Sequence, residues 1–414
     1  MNDEKANSEL AIQHSALKKP EIRFDGFRED WEAREFGNDL LSVQTGTDLL
    51  AASGNSGCPL IKMGNIQRGY FSFEKVERLS ANVEVEKENL ANYGDFLFNT
   101  RNTLELVGKG ATWMGKSNEF AFNNNIARFT LKGINTIFFN YLYNTQRMIK
   151  QVQARAMGTT SVAAIYPNNL KSIRYTLPKI EEQTQIGNYF QKLDALINQH
   201  QQKHDKLSNI KKAMLEKMFP KQGETIPEIR FKGFNGEWDE IELGEEVTFI
   251  NGRAYSQEEL QDKGKYTVLR VGNFYTNSSW YYSDMELSDK YYADYGDLLY
   301  TWSASFGPHI WYGDKVIYHY HIWKLELSEN IEKLFLLHLL DYDRAKILSG
   351  SNGSTMIHIT KSAMEAKKVF IPKKDEQTAI GNYFQKLDAL INQHQQQITK
   401  LNNIKQACLS KMFV

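Results

Sequence analysis

Seventeen residues occur twice in this chain: positions 186–202 return letter for letter as 380–396, an offset of 194. The likeness runs on past the identical stretch, through Lys206-Leu207 and Lys400-Leu401 to Lys217-Met218-Phe219 and Lys411-Met412-Phe413. An internal repeat of this kind decides the architecture before any local reading can.

Each copy reads as one long helix. Steps of four and three residues give Ile186, Phe190, Leu193, Ile197, His200, His204, Leu207, Lys211, Met214 and Met218. The second copy gives Ile380, Phe384, Leu387, Ile391, His394, Ile398, Leu401, Lys405, Cys408 and Met412. That spacing is the narrow seam of a coiled coil, and the two seams are expected to pack on each other. Phe190, Leu193, Ile197, Leu207, Phe384, Leu387, Ile391 and Leu401 are the expected interface, with His200, His204 and Lys211 setting register. About 38 residues at ~1.5 Å each make a rod of roughly 57 Å. Antiparallel packing brings the two attachment points of the intervening domain side by side, so one globular domain is expected at each end.

A second repeat opens at Pro20. Pro20-Glu-Ile-Arg-Phe-Asp-Gly-Phe, then Trp31 and Gly37, returns as Pro227-Glu-Ile-Arg-Phe-Lys-Gly-Phe, then Trp238 and Gly244, at an offset of 207. Further landmarks agree: Met63-Gly64-Asn65 with Val271-Gly272-Asn273, and Tyr93-Gly94-Asp95 with Tyr295-Gly296-Asp297. Between them the two halves diverge. Alternating runs at 96–98, 126–131 and 316–327 predict strands, and 136–153 and 331–348 predict helices. On the 316–327 run His319 and His321 fall on one strand face. The expected class is α+β: two mixed α/β domains held apart by an antiparallel pair of long coiled-coil helices, with pseudo-two-fold internal symmetry. The expected divisions are an arm (1–19), domain one (20–180), helix one (181–219), a linker (220–226), domain two (227–374) and helix two (375–414).

The chain of 414 residues, 41% hydrophobic and 12% aromatic, is long enough for two cores. No stretch nears ~18 consecutive apolar residues, the N-terminus lacks a signal-type apolar stretch, and two cysteines without ligand spacing fit a reducing cytoplasm. Formal net charge is +0, so an anionic partner must meet a local patch. Residues 99–179 supply one, with eleven Lys or Arg against two acidic residues. Residues 227–372 carry fifteen basic and twenty-two acidic residues and offer aromatics instead.

One motif is sharp. Gly110-Ala-Thr-Trp-Met-Gly115-Lys116-Ser117 fits the phosphate-loop pattern, which works only where a helix follows. The residues after it read as strand and turn, so a nucleotide-binding enzyme is the lesser alternative, beside a two-domain coiled-coil scaffold that binds proteins only. No metal-protease, hydrolase, amino-methyltransferase or nuclease signature is present in the sequence.

Taken with the Glu182-Gln-Thr-x-Ile-Gly and Asp375-Glu-Gln-Thr-x-Ile-Gly helix entries and the repeated Leu-Asp-Ala-Leu-Ile, this order resembles the DNA-specificity subunits of type I restriction-modification systems. The resemblance covers nearly everything from Pro20 to Val414. It implies two target-recognition domains, each reading half of a bipartite asymmetric duplex site, on helices that dock two methyltransferase subunits. S-adenosylmethionine would lie on those subunits, and ATP and Mg on restriction/translocase subunits. This chain would bind no cofactor or metal, meet no membrane and catalyse nothing. Candidate DNA contacts are Arg101, Asn102, Lys109, Lys116, Arg128, Arg155 and Thr159 in the first domain. In the second they are Arg270, Asn273, Tyr275, Trp302, Ser303 and Ser354. Arg101 is favoured for base reading and Lys116 for phosphate.

If rod length fixes half-site separation, a ~57 Å rod matches about 17 base pairs at ~3.4 Å each. Inserting one heptad after His200 alone is expected to change the preferred spacer or abolish binding, read by selection from duplexes of randomised spacer length. An unchanged site at unchanged affinity contradicts the ruler.

Overall fold

The computed structural model describes residues 19–52, 56–159, 161–275, 277–303, 305–350 and 359–414. Almost all of the expected arm, 1–19, lies outside them. The chain forms two compact units, 1–200 with 397–414, and 201–396. The long helices, Ile180–Lys217 and Lys374–Lys411, therefore each begin in one unit and end in the other.

The first unit is built on a four-stranded antiparallel sheet ordered Leu40–Thr45, Ile126–Leu131, Phe96–Asn99, Gly110–Thr112. All four residues of Phe96–Asn99 are buried, which is why the strand is apolar on both faces rather than alternating. Helices Thr136–Tyr143 and Gln146–Gln153 contribute Phe138, Phe139, Tyr143 and Met148 to its core. The second unit repeats the sheet order with Val247–Asn251, Ile322–Leu327, Leu298–Thr301 and Gly307–Ile310, and adds the helix Lys333–Gly350. Each unit also carries a second, four-stranded sheet. The α+β class holds in both.

Two expectations are corrected. The predicted helix 136–153 is two helices, because Thr145 caps the second by accepting from the Met148 amide at 3.4 Å. The predicted strand 316–327 is also two, Val316–Tyr318 and Ile322–Leu327, in different sheets. His319 and His321 sit on the turn between them, closed by the Ile322 amide donating to the His319 carbonyl at 2.9 Å.

The repeated sequence landmarks turn out to be docking devices. Arg23, from the opening repeat, donates twice to Glu182 at 2.7 Å. Arg230 donates twice to Glu376 at 2.6 Å. Both carboxylates are about 99% removed from solvent, so the planar guanidinium fork satisfies them where water cannot. The next residue ties the helix start to the domain. Gln183 accepts from the Asn135 amide and donates to the Pro178 carbonyl, both at 2.9 Å. Gln377 accepts from Glu332 at 2.9 Å and donates to Pro372 at 2.9 Å. One turn on, a side chain on Gly187 would stand 3.0 Å from the Phe138 amide nitrogen, and one on Gly381 2.9 Å from that of Phe335. The Ile-Gly-Asn-Tyr-Phe repeat thus keeps glycine where helix meets helix.

The predicted seam is buried, but against more than its twin. Ile186, Phe190 and Leu193 join the first core together with Leu401, Ile404 and Cys408 from the end of the other helix. Ile380, Phe384 and Leu387 join the second with Leu207, Ile210 and Met214. Ile197 and Ile391 are only half-buried. Within each unit the helix segments run antiparallel: Tyr189 lies beside Cys408 and Asp194 beside Lys405, at 3.6 and 2.5 Å. In the other unit Lys211 meets Asp388 at 2.7 Å, while Phe219 stacks on Phe384. Lys211 thus pairs across the seam, whereas His204 lies beside Asp205 of its own helix at 3.0 Å. Each core is closed by a Lys-Met-Phe end, Phe413 against Trp31 at 6.4 Å and Phe219 against Trp238 at 6.2 Å.

Glu182→Ala or Glu376→Ala takes the carboxylate from a mostly buried guanidinium, although Arg230 keeps the Gly236 and Asn235 carbonyls as acceptors. Each is expected to cost about 3–5 kcal/mol in denaturant unfolding, with less lost for the glutamine variant. A change within ~0.5 kcal/mol contradicts this.

Candidate nucleic-acid interface

The frame of each unit ends in the same way at one edge of its central sheet. In the first unit the Thr47 amide donates to Phe122, Gly46 to Ile126, Ile126 to Asn123 and Thr100 to Asn125, at 2.9, 3.1, 3.0 and 3.0 Å. In the second, Arg253 donates to Tyr318, Gly252 to Ile322, Ile322 to His319 and Trp302 to His321, at 3.1, 3.1, 2.9 and 3.1 Å. Gly46 and Gly252 are required by this closeness, since a side chain would come within 1.9 Å of the Phe122 carbonyl oxygen or 2.4 Å of that of His319. On one backbone stand Asn123-Asn124-Asn125, on the other His319-Tyr320-His321. Neither triplet stood among the expected contacts. The signal was available: Asn-Asn-Asn-Ile-Ala-Arg and His-Tyr-His-Ile-Trp-Lys open corresponding strands.

Around this edge the first unit carries Arg101, Arg68 and Lys109, while the cleft beside the turn mixes Lys62 and Lys75 with Asp48, Glu74 and Glu77. Arg101 and Asn102 form a short strand paired with Ala163–Ala164, which pairs in turn with Met157–Gly158. Thr159 is exposed just after Met157–Gly158, on the far side of Ala163–Ala164 from Arg101 and Asn102. Arg101 is exposed and makes no side-chain bond among the described residues. Asn102 accepts from the Thr103 amide at 2.8 Å. Lys109 donates to Gln67 at 2.7 Å. Burial, and then the neighbouring Arg68, hold the Lys109 ammonium below its ordinary pKa, and burial lowers Arg68 as well. Among the described residues no carboxylate is bonded to either cation, although Glu105 lies near enough to raise Lys109 in part, and a further anion would relieve the pair. A cleft of about 690 Å³ runs beside the turn, lined by Thr47, Asn65, Asn123, Asn124, Asn125 and Lys62 among others.

In the second unit the corresponding region is aromatic. The Tyr275 hydroxyl lies 3.2 Å from His309 Nε2 and 3.3 Å from Thr301 Oγ1, and Phe274 stacks on His309 with centroids 4.2 Å apart. Burial, then Arg344, push His309 down to about 4. Burial, then His321 and Arg270, push His319 down to about 4. Both rings are therefore neutral at pH 7 and add no positive charge. Trp302 donates its indole N–H to the Tyr320 carbonyl at 2.9 Å and stacks on Trp323, with the half-buried Ser303 following it. The Arg270 guanidinium lies over the Tyr281 ring at 4.1 Å.

Other expected contacts make bonds within the chain. Arg128 donates to Asp95 and to the Leu90 and Glu88 carbonyls at 3.0, 3.2 and 2.9 Å, and also to Gln44. Lys324 meets Asp297 at 2.8 Å in the same way, so the Tyr-Gly-Asp landmark is a structural clamp. Arg155 closes the end of its helix on Gln151 and Ser172. Asn273 accepts from Arg270 and donates to Asn277 and Ser279, as Asn65 does with Lys62, Ser72 and Lys75. Lys116 pairs with Glu119 at 3.3 Å, beyond Trp113 and so at the opposite end of the sheet from Arg101. Ser354 lies outside the described residues. The phosphate-loop reading fails on geometry: Gly110–Thr112 is a buried strand, and Ser117 leads through a turn to the strand Ala121–Phe122, not to a helix. Among the described residues no cluster of three or more His, Cys, Asp or Glu could hold a metal, and no helix is long and apolar enough to cross a membrane.

Comparison with known proteins places these features. The family model of the type I restriction modification DNA specificity domain matches residues 28–209 and again 235–403. A putative type I restriction enzyme MjaX specificity subunit of Methanocaldococcus jannaschii is 25% identical over 417 residues, covering 96% of this chain and 95% of that protein. The type I restriction enzyme MjaVIII specificity subunit of the same organism is 26% identical over 196 residues, 45% of each chain. The crystal structure of a type I restriction-modification system S subunit from M. genitalium shares the fold, with a TM-score of 0.61 at 17% identity over 96% of this chain and 99% of that one.

The division between clamp and free cation is measurable. Arg128→Ala is expected to lower the melting temperature. Arg101→Ala is expected to leave melting unchanged and to weaken binding to the preferred duplex by roughly 1–3 kcal/mol in a fluorescence titration. The opposite pattern contradicts the assignment.

Proposed function

Because the chain belongs to the type I restriction modification DNA specificity family, we propose that it selects the DNA site for such a complex and leaves the chemistry to its partners. Each unit reads one half of a bipartite, asymmetric duplex sequence. Two methyltransferase subunits dock on the long helices and carry S-adenosylmethionine; restriction/translocase subunits carry ATP and Mg. The chain itself is non-catalytic and works in the cytoplasm, where that DNA lies.

The observation that carries this reading is the contrast between frame and edge. Arg23–Glu182 and Arg230–Glu376, Asn65 and Asn273, Asp95 and Asp297 do the same work twice. At the sheet edge the same backbone carries asparagines in one unit and histidines with tyrosine in the other. Modules that dock alike and differ at one exposed edge suit two readers of different sequences. The net acidic second domain is accommodated if its edge reads bases through aromatic and neutral imidazole groups. Most phosphate attraction then falls to residues 99–179 of the first.

Exchanging residues 20–179 for the equivalent part of another family member is expected to change one half of the selected sequence and keep the other, as read by sequencing methylated sites. Loss of salt-dependent duplex binding altogether would instead favour a protein-only scaffold. A change in both halves together contradicts independent reading.

A further inference from the structure

We propose that the turn at residues 123–125 is the base-reading element of the first unit, that its amides select adenine, and that the turn at 319–321 is its counterpart in the second. The proposal rests on the DNA-reading function above and assigns it to particular side chains.

Asparagine is common in turns because its side chain bonds the neighbouring backbone. That reason does not apply here. The turn is held by main-chain bonds and the Thr100 hydroxyl, and none of the three asparagine side chains makes a hydrogen bond among the described residues. Asn123 Oδ1 is buried without a partner, Asn124 is exposed, and Asn125 is half-buried. Two adjacent amides, Asn124 and Asn125, therefore hold unused donors and acceptors at the rim of a cleft of about 690 Å³, with the Asn123 oxygen buried beneath them. A carboxamide presents one acceptor oxygen and one donor NH₂ side by side, which matches N6 and N7 of adenine in the major groove and no other base in that order.

The setting suits a groove-reading element. The carbonyl of Asn125 accepts from both the Thr100 amide and the Thr100 hydroxyl, at 3.0 and 2.9 Å, so the turn is anchored to the segment that carries Arg101. A rigid turn flanked by a free guanidinium can place the amides against base edges while the cation meets phosphate or guanine. In the second unit His319 stacks on Tyr255 with ring centroids 6.4 Å apart and lies tilted against Tyr320 at 4.4 Å, with Tyr320 39% exposed. The different chemistry on one backbone gives each half-site its own preference.

The test uses the full chain assembled with its methyltransferase partners, selecting from duplexes randomised in both half-sites. Asn124→Ala combined with Asn125→Ala is expected to remove an adenine preference at one or two adjacent positions of one half. Discrimination there should fall about 10- to 100-fold, with the other half, the salt dependence and the melting temperature unchanged. Tyr320→Ala is expected to alter the other half only. If both folded variants select the wild-type sequence with undiminished discrimination, the turns are not the readers, and the specificity function stands without them. If the wild-type assembly selects no sequence, the function itself fails, and this assignment with it.

Discussion

The buried ion pair between the opening repeat and the helix entry is the contact on which the rest of the architecture depends. Arg23 and Glu182 lie 159 residues apart in sequence, Arg230 and Glu376 146. Each pair fastens the first turn of a 38-residue helix to its domain. Ion pairs in dry surroundings add little net stability over apolar contacts of the same shape, yet breaking one is costly. Their worth here is directional. A guanidinium fork meets a carboxylate in few orientations, so the helix leaves the domain along one line. Gln183 and Gln377 then bond across to the neighbouring loop, and the glycine one turn later permits close approach. Identity between the two helices follows, because both copies solve one docking problem.

A second consequence concerns how the cores close. Trp31 and Phe138 pack on Phe413, from the far end of the second long helix, while Trp238 and Phe335 pack on Phe219 from the first. The first unit is therefore not continuous in sequence, since it needs 397–414, while the second spans 201–396 without a break. Lysines one turn or two before those ends, Lys405 and Lys211, bond Asp194 and Asp388 and fix how far the helices slide. Apolar seams alone tolerate a shift by one heptad; a charged partner at a single place does not.

Much of this was legible in the sequence, and the reasons differ from element to element. The helices were plain because seventeen identical residues at a seam spacing admit few readings. The strands at 96–99 and 126–131 announced themselves by buried and alternating runs. What misled was the stretch 316–327, where a tight turn of His, Tyr and His keeps strand-like alternation while the chain changes sheet. Charge counting picked out residues 99–179 but could not tell a free arginine from a clamp. Arg101 and Arg128 look alike in sequence, and only the placement of Asp95, Gln44 and two carbonyls separates them. An asparagine triplet before a strand is no signal by itself, because asparagine in a turn usually serves its own backbone. Here it does not, and that is visible only once the hydrogen bonds are traced.

The central claim, that this chain chooses a DNA sequence for enzymes that act on it, is tested most directly by methylation mapping. Genomic methylation would be sequenced in cells with the intact chain, in cells lacking it, and in cells complemented with it. The account predicts one bipartite, gapped motif that is methylated with the chain, disappears without it and returns on complementation. A methylation pattern identical in all three would contradict it.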